Sequence, residues 1–235
     1  MCLIAVAPGF FRPFPLVIAA NRDEFYDRPS APAAPWPEDP RVIGGRDLRG
    51  GGSWLAVRAG GRFGAVTNIR GSRTGGPSRG LLVSNFVLGD ADAFQYALNV
   101  DRGAYAGFHL IVGDTDRIVH VTNADDAMPS VVPPGQVFAV SNGLPGEDWP
   151  KVQSARYAMN ELYARFSEPT TRLLDFLTTR RGGPIEQEVF VTVPERGYGT
   201  RSSTVIVVDE NGAVDFIERA APSGAEVRWR LPSRS

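Results

Sequence analysis

One cysteine, two histidines and a single lysine are all that 235 residues supply of these three side chains. Cys2 alone cannot close an internal disulfide, and with only His109 and His120 beside it the chain cannot build a zinc site from sulfur and imidazole. A disulfide scaffold and a structural zinc finger are thereby excluded. An excess of one charge is missing too. Twenty-five basic residues face 26 acidic ones, so the net field offers no attraction to nucleic acid or to an anionic membrane surface. Lys151 is the sole lysine among the 25, an arginine bias from which no function is read. Long apolar runs are also absent: residues 1–8 and 16–20 are short and interrupted by Pro8, Pro13 and Pro15, and no basic segment precedes a signal-like core. The expectation is a protein without an integral membrane segment, located in the cytoplasm.

Familiar catalytic loops are missing as well. The glycines from Gly44 to Gly52 lack the Gly-Lys-Ser/Thr ending of a phosphate loop and the strand-then-helix setting of a dinucleotide fingerprint. No G-x-S-x-G elbow occurs, and two histidines outside any motif give a serine triad little support. What is there is ordinary globular usage, 43% hydrophobic and 22% charged, at a length that suits one large domain over residues 1–235.

Short apolar runs rich in β-branched residues predict strands at Cys2–Ala7 and Leu16–Asn21. Ser53–Val57 and Arg62–Thr67 flank Ala59-Gly60-Gly61 as a hairpin, and Phe108–Val112, Ile118–Thr122 and Val137–Ser141 are strand-like. Glu188–Val193, Thr204–Val208 and Ala213–Ile217 complete the strand set, with Asp209-Glu210-Asn211-Gly212 turning the last hairpin. Helical spacing predicts Leu81–Leu88, Asp92–Val100, Val152–Phe166 and Thr170–Arg180, the third with Tyr157, Leu162, Tyr163 and Phe166 on its apolar face. Five prolines between Pro29 and Pro40 enclose Trp36; they block helix and central strand, leaving a surface loop or a lid. Strands, then helices, then strands again predict a layered α+β domain with antiparallel sheets.

Cys2 has two readings. It packs as a small apolar residue, or, once Met1 is removed, it carries a thiol and an α-amine on one residue. The amine, with a pKa of about 7.7–8, then takes the proton of a thiol with a pKa of about 8.5 and activates a nucleophile without histidine. Asn21-Arg22-Asp23-Glu24 follows the second strand and is either a salt-bridged strand end or part of a site. His109 and His120 are satisfied sheet residues or, in principle, haem ligands.

Met1-Cys2, Asn21-Arg22-Asp23-Glu24, Gly44-Gly45-Arg46-Asp47, Gly51-Gly52-Ser53-Trp54, Thr67-Asn68-Ile69-Arg70, Ser78-Arg79-Gly80, Gly107-Phe108-His109-Leu110, Ser141-Asn142, Trp149-Pro150-Lys151 and Tyr198–Thr204 occur in one order. Together they resemble the NRDE, or transport and Golgi organisation protein 2, family. That family resembles N-terminal nucleophile (Ntn) hydrolases of the bile-salt hydrolase and penicillin V acylase kind. The resemblance implies a four-layer αββα sandwich of two antiparallel sheets with Cys2 on an inner strand. It further implies that Asp23 orients the Cys2 amine, that Asn68 and Asn142 donate to an oxyanion, and that Arg201 matches a distal active-site arginine. Where the enzymes have an arginine before the Asn, this chain has Ala20, and Arg22 is adjacent. His109 stands where the family more often has Asn.

Two functions follow from the resemblance. One is a Cys2-dependent hydrolase of a non-peptide amide or related acyl bond in a small molecule, needing no cofactor. The other is a non-catalytic carrier or chaperone for a hydrophobic ligand, haem or acyl lipid, on the same fold.

Overall fold

The computed structural model describes residues 2–11, 13–72, 75–165 and 169–233. Its first two strands, β1 (Leu3–Phe11) and β2 (Phe14–Phe25), pair antiparallel. Leu16 to Ala20 of β2 are all buried. An uninterrupted apolar run of this kind is what a strand covered on both faces requires. The layers explain the cover. One seven-stranded antiparallel sheet has the order β10-β1-β2-β12-β13-β14, with β11 (Thr192–Val193) beside β12. Its other members are β10 (Phe138–Val140), β12 (Tyr198–Val208), β13 (Val214–Ala220) and β14 (Glu226–Leu231). The second sheet runs in sequence order through β3 (Ser30–Pro35), β4 (Val42–Asp47), β5 (Leu55–Arg58), β6 (Arg62–Asn68), β7 (Phe108–Gly113), β8 (Ile118–Thr122) and β9 (Ser130–Val131).

Three apolar layers hold four structural ones together. Ile4, Ile18 and Ile206 of the first sheet meet Leu55, Phe63 and Ile111 of the second. The odd-numbered residues Leu3, Val17 and Val205 face α3 (Pro150–Arg165) and α4 (Pro169–Leu177), against Val152, Met159 and Leu173. Val66, Leu110 and Val119 of the second sheet pack on α1 (Gly80–Leu88) and α2 (Ala93–Leu98) through Leu82, Phe86 and Ala97. The result is a four-layer αββα sandwich of two antiparallel sheets, as the resemblance implies. No helix among the described residues is long and apolar enough to cross a membrane.

Several boundaries differ from the sequence reading. Only the second half of the segment Pro29–Pro40 is loop: Ser30–Pro35 is an edge strand, where missing proline N–H groups cost little, and Ala33 and Trp36 are buried. Only Thr192–Val193 of the expected strand Glu188–Val193 pairs. Strand β14 was not foreseen, because Glu226, Arg228 and Arg230 break its apolar character on an exposed outer strand. Tyr157 is 67% exposed, and the face α3 buries is Val152, Ala155, Met159 and Leu162; the aromatic ring favours neither face by itself. Phe166 lies outside the described residues, as does Met1.

Candidate functional site

The polar quartet 21–24 does not end β2 but continues it. Strand β12 pairs with it along one edge, Asn21 with Ser203, Arg22 with Ser202, Asp23 with Thr200 and Glu24 with Gly199. On the other edge β1 stops at Leu3, opposite Asn21. Beyond that point β2 has an open edge, and Cys2 occupies it: its thiol points to the Asp23 backbone carbonyl at 3.8 Å. Ser141 Oγ donates to the Cys2 carbonyl at 2.6 Å, fixing the residue from the β10 side.

The two-residue period of a strand then sorts the quartet by face. Asn21 points toward the α3/α4 layer, where its Nδ2 donates to the carbonyls of Leu177 (2.8 Å) and Val189 (2.7 Å). Asp23 shares that face; Oδ1 accepts from Thr200 Oγ1 at 2.7 Å, and Oδ2 lies 3.6 Å from Lys151 Nζ. Burial pushes the Asp23 carboxyl above its usual range, and the Lys151 ammonium acts to bring it down. Arg22 points the other way, between the sheets, with its guanidinium 4.5 Å over the Trp54 ring and 3.7 Å from Asp47. Asp47 is shared with Arg28 at 2.7 Å, and Arg28 reaches Glu24 at 3.7 Å, so the acidic and basic groups of this wall compensate one another.

Cys2, Arg22, Asp23, Asn68 and Asn142 all line one cleft of about 590 Å³, with Trp54, Arg79 and Tyr198. The two asparagines are placed differently. Asn68, at the end of β6, is exposed, and among the described residues its carboxamide makes no hydrogen bond. Asn142 is buried, and its Nδ2 donates both hydrogens, to Thr67 Oγ1 and to the Asn68 carbonyl, each at 2.7 Å. A carbonyl only accepts, so the atom facing it is the nitrogen. Its backbone carbonyl also accepts from Arg70 N. Asn142 thus braces the Asn68 turn, while Asn68 keeps a carboxamide available to a ligand.

His109 and His120, distant in sequence, face each other across the β7–β8 pair. Gly143 O accepts from His109 Nε2 (2.9 Å), which leaves neutral His109 an acceptor at Nδ1; His120 Nε2 therefore donates to it at 3.1 Å. Burial holds both imidazoles below their usual range, His120 to about 3. Neither ring lines the cleft. Both ring nitrogens of His109 are engaged, which leaves that ring none for iron as arranged. Its effect is to hold the loop that carries Asn142. No group of three or more His, Cys, Asp or Glu suited to a metal occurs among the described residues.

Arg201 does not line the cleft. It is the extra residue at a bulge in β12, and its Nη1 donates to the carbonyls of Phe25, Tyr26 and Arg28. The sequence reading passed over two other cations. Arg79, just before α1, is largely buried and donates to Gly107 O at 3.0 Å; desolvation lowers its pKa, and a thiolate at Cys2 would attract it. Lys151 is fully buried behind Asp23. Both stand in segments that carry the family resemblance, Ser78-Arg79-Gly80 and Trp149-Pro150-Lys151, but the sequence assigns neither a role.

The fold is shared with solved structures at low identity: a mutant of conjugated bile acid hydrolase from Clostridium perfringens (TM-score 0.63, 9% identity, 98% of this chain and 92% of that one). An N-acylethanolamine-hydrolyzing acid amidase ortholog from Caenorhabditis elegans gives TM-score 0.55 at 15% identity, over 88% and 92% of the two chains. The Transport and Golgi organization 2 homolog of Mus musculus is 32% identical over 91% of this chain and 89% of its own length. The Homo sapiens homolog is 32% identical over 87% and 86%. Residues 1–223 match the family described as Transport and Golgi organisation 2. The chain belongs to that family.

Proposed function

We propose that the protein is a Cys2-dependent hydrolase of a non-peptide amide or related acyl bond. The observation that supports this most directly is the meeting of the Cys2 thiol, the buried Asp23 and the unengaged Asn68 carboxamide at one cleft. Two of the solved structures that share the fold are named as a conjugated bile acid hydrolase and an N-acylethanolamine-hydrolyzing acid amidase, and at their identities that likeness speaks for the fold; the residues must argue the chemistry.

In this reading Met1 is removed and Asp23 orients the freed α-amine. The amine takes the thiol proton as Sγ attacks the acyl carbon. The carbonyl electrons move to oxygen, where Asn68 donates, with Asn142 fixing the Asn68 backbone. Collapse of the adduct breaks the C–N bond, and the ammonium returns its proton to the leaving amine. Water, deprotonated by the same amine, then attacks the thioester; the C–S bond breaks, the acid leaves and the ammonium returns its proton to sulfur. Arg22, pinned between Trp54 and Asp47, shapes the cleft wall beside the sulfur.

The test joins mass and turnover. Intact mass of protein from its native cell is expected to lack Met1. A panel of N-acyl amides is expected to be hydrolysed by the parent and not by Cys2→Ala, whose melting temperature stays close to the parent's. Retained Met1, or equal turnover in the variant, would sink the nucleophile. Uptake of an apolar ligand by both proteins with no turnover by either is the carrier outcome.

A further inference from the structure

Lys151 stands where stability gives no reason for a cation. It is 0% exposed. It is the second residue of α3, where the helix dipole disfavours positive charge. Its Nζ has no hydrogen-bond partner among the described residues, and the ion pair drawn there is with Asp23 Oδ2 at 3.6 Å. Burying an ammonium costs several kcal/mol unless a partner offsets it, roughly the scale of a whole domain's stability. The chain otherwise uses arginine throughout. A guanidinium here would bring five N–H donors into a pocket that satisfies none for the ammonium, whereas a slim point charge fits.

Thr200 Oγ1 donates to Asp23 Oδ1, and the Cys2 thiol and the Tyr198 hydroxyl point to the Asp23 backbone carbonyl. Arg22 and Glu24 lie on the opposite face of β2. Lys151 is therefore the side-chain cation paired with this carboxylate among the described residues. We infer that Lys151 is a positioning residue for acyl transfer: it favours the carboxylate form of Asp23 and fixes its Oδ2 edge, so that Asp23 can hold the Cys2 α-amine beside the thiol. The inference rests on the hydrolase reading above.

The rate of Cys2 alkylation by iodoacetamide in the full chain tests it without a known substrate, with thermal melting followed in parallel. A positioned base is worth about 10²–10⁴-fold, so Lys151→Met and Asp23→Asn are each expected to slow alkylation at least about tenfold. The double variant removes both buried charges. It is expected to regain the melting temperature lost in Lys151→Met yet to alkylate no faster than either single variant. If Lys151→Met does not fold, the double variant carries the comparison. A double variant that alkylates at the parent rate overturns the inference, since the lysine would then serve folding alone. Fast alkylation of both the parent and a folded Lys151→Met defeats the Lys151 role and leaves the hydrolase reading standing. A parent no faster than a free cysteine ester defeats both.

Discussion

At the scale of single residues, two asparagines of equal chemistry hold unlike positions. Asn68 presents an unengaged carboxamide to the cleft, whereas Asn142 has both amide hydrogens committed. Removing one oxyanion donor costs about 10²–10³ in kcat, so Asn68→Ala is expected to lose that much turnover with its urea midpoint unchanged. Asn142→Ala leaves the Asn68 carbonyl and the Thr67 hydroxyl without their buried donor. It is expected to lose about 1–3 kcal/mol of stability as well as turnover. Steady-state kinetics and urea titration on the two variants check this; a destabilised Asn68→Ala beside a stable Asn142→Ala would reverse the assignment. The sequence marked both positions but could not rank them, because a side chain's free hydrogens depend on neighbours from β6 and β10.

Among the elements, β4 shows why glycines that resemble a phosphate loop serve packing instead. A Cβ on Gly45 would sit 1.9 Å from Trp54 Cη2, and one on Gly44 would sit 2.6 Å from the Leu55 carbonyl oxygen. The bare strand lets the indole lie flat and present its face to Arg22. Gly45→Ala is expected to push the ring away and lower stability by about 1–3 kcal/mol, the usual cost of overpacking. Trp54→Ala in the same background should relieve part of that loss. Melting curves of the single and double variants provide the measurement, and a Gly45→Ala as stable as its parent would show that the indole moves freely.

For the whole molecule, pH acts through buried titratable groups. Unfolded imidazoles take up protons below about pH 6.5, whereas folded His120 stays neutral down to about 3 and His109 is lowered as well. The folded state then binds fewer protons, so stability falls as pH drops through that window, by up to about 1.4 kcal/mol per pH unit for each histidine. Asp23 and Glu218 act oppositely: burial raises both, the folded state keeps their protons longer, and their contribution is lost as pH rises through the folded pKa. Urea midpoints between about pH 7 and 5 are expected to fall in the parent. His120→Gln keeps a donor toward His109 and removes the more strongly lowered group, so its profile should be flatter. An equally steep decline in that variant would assign acid sensitivity elsewhere.

The sequence by itself pointed to the family, most of the central antiparallel strands, the hairpin at Asp209–Gly212 and the residue types that gather at the cleft, because apolar runs and turn residues are local properties. Tertiary structure decided the rest. Strands buried on both faces carry no alternation, so nothing in Leu16–Glu24 says which side chains face the helices and which the other sheet; pairing with β12, nearly two hundred residues away, sets that register. The early stop of β1 at Leu3 opens the edge that Cys2 fills, and only the docking of α3 brings Lys151 behind Asp23. Each of these is a contact between segments far apart in the chain, and such contacts exist only once the layers have packed.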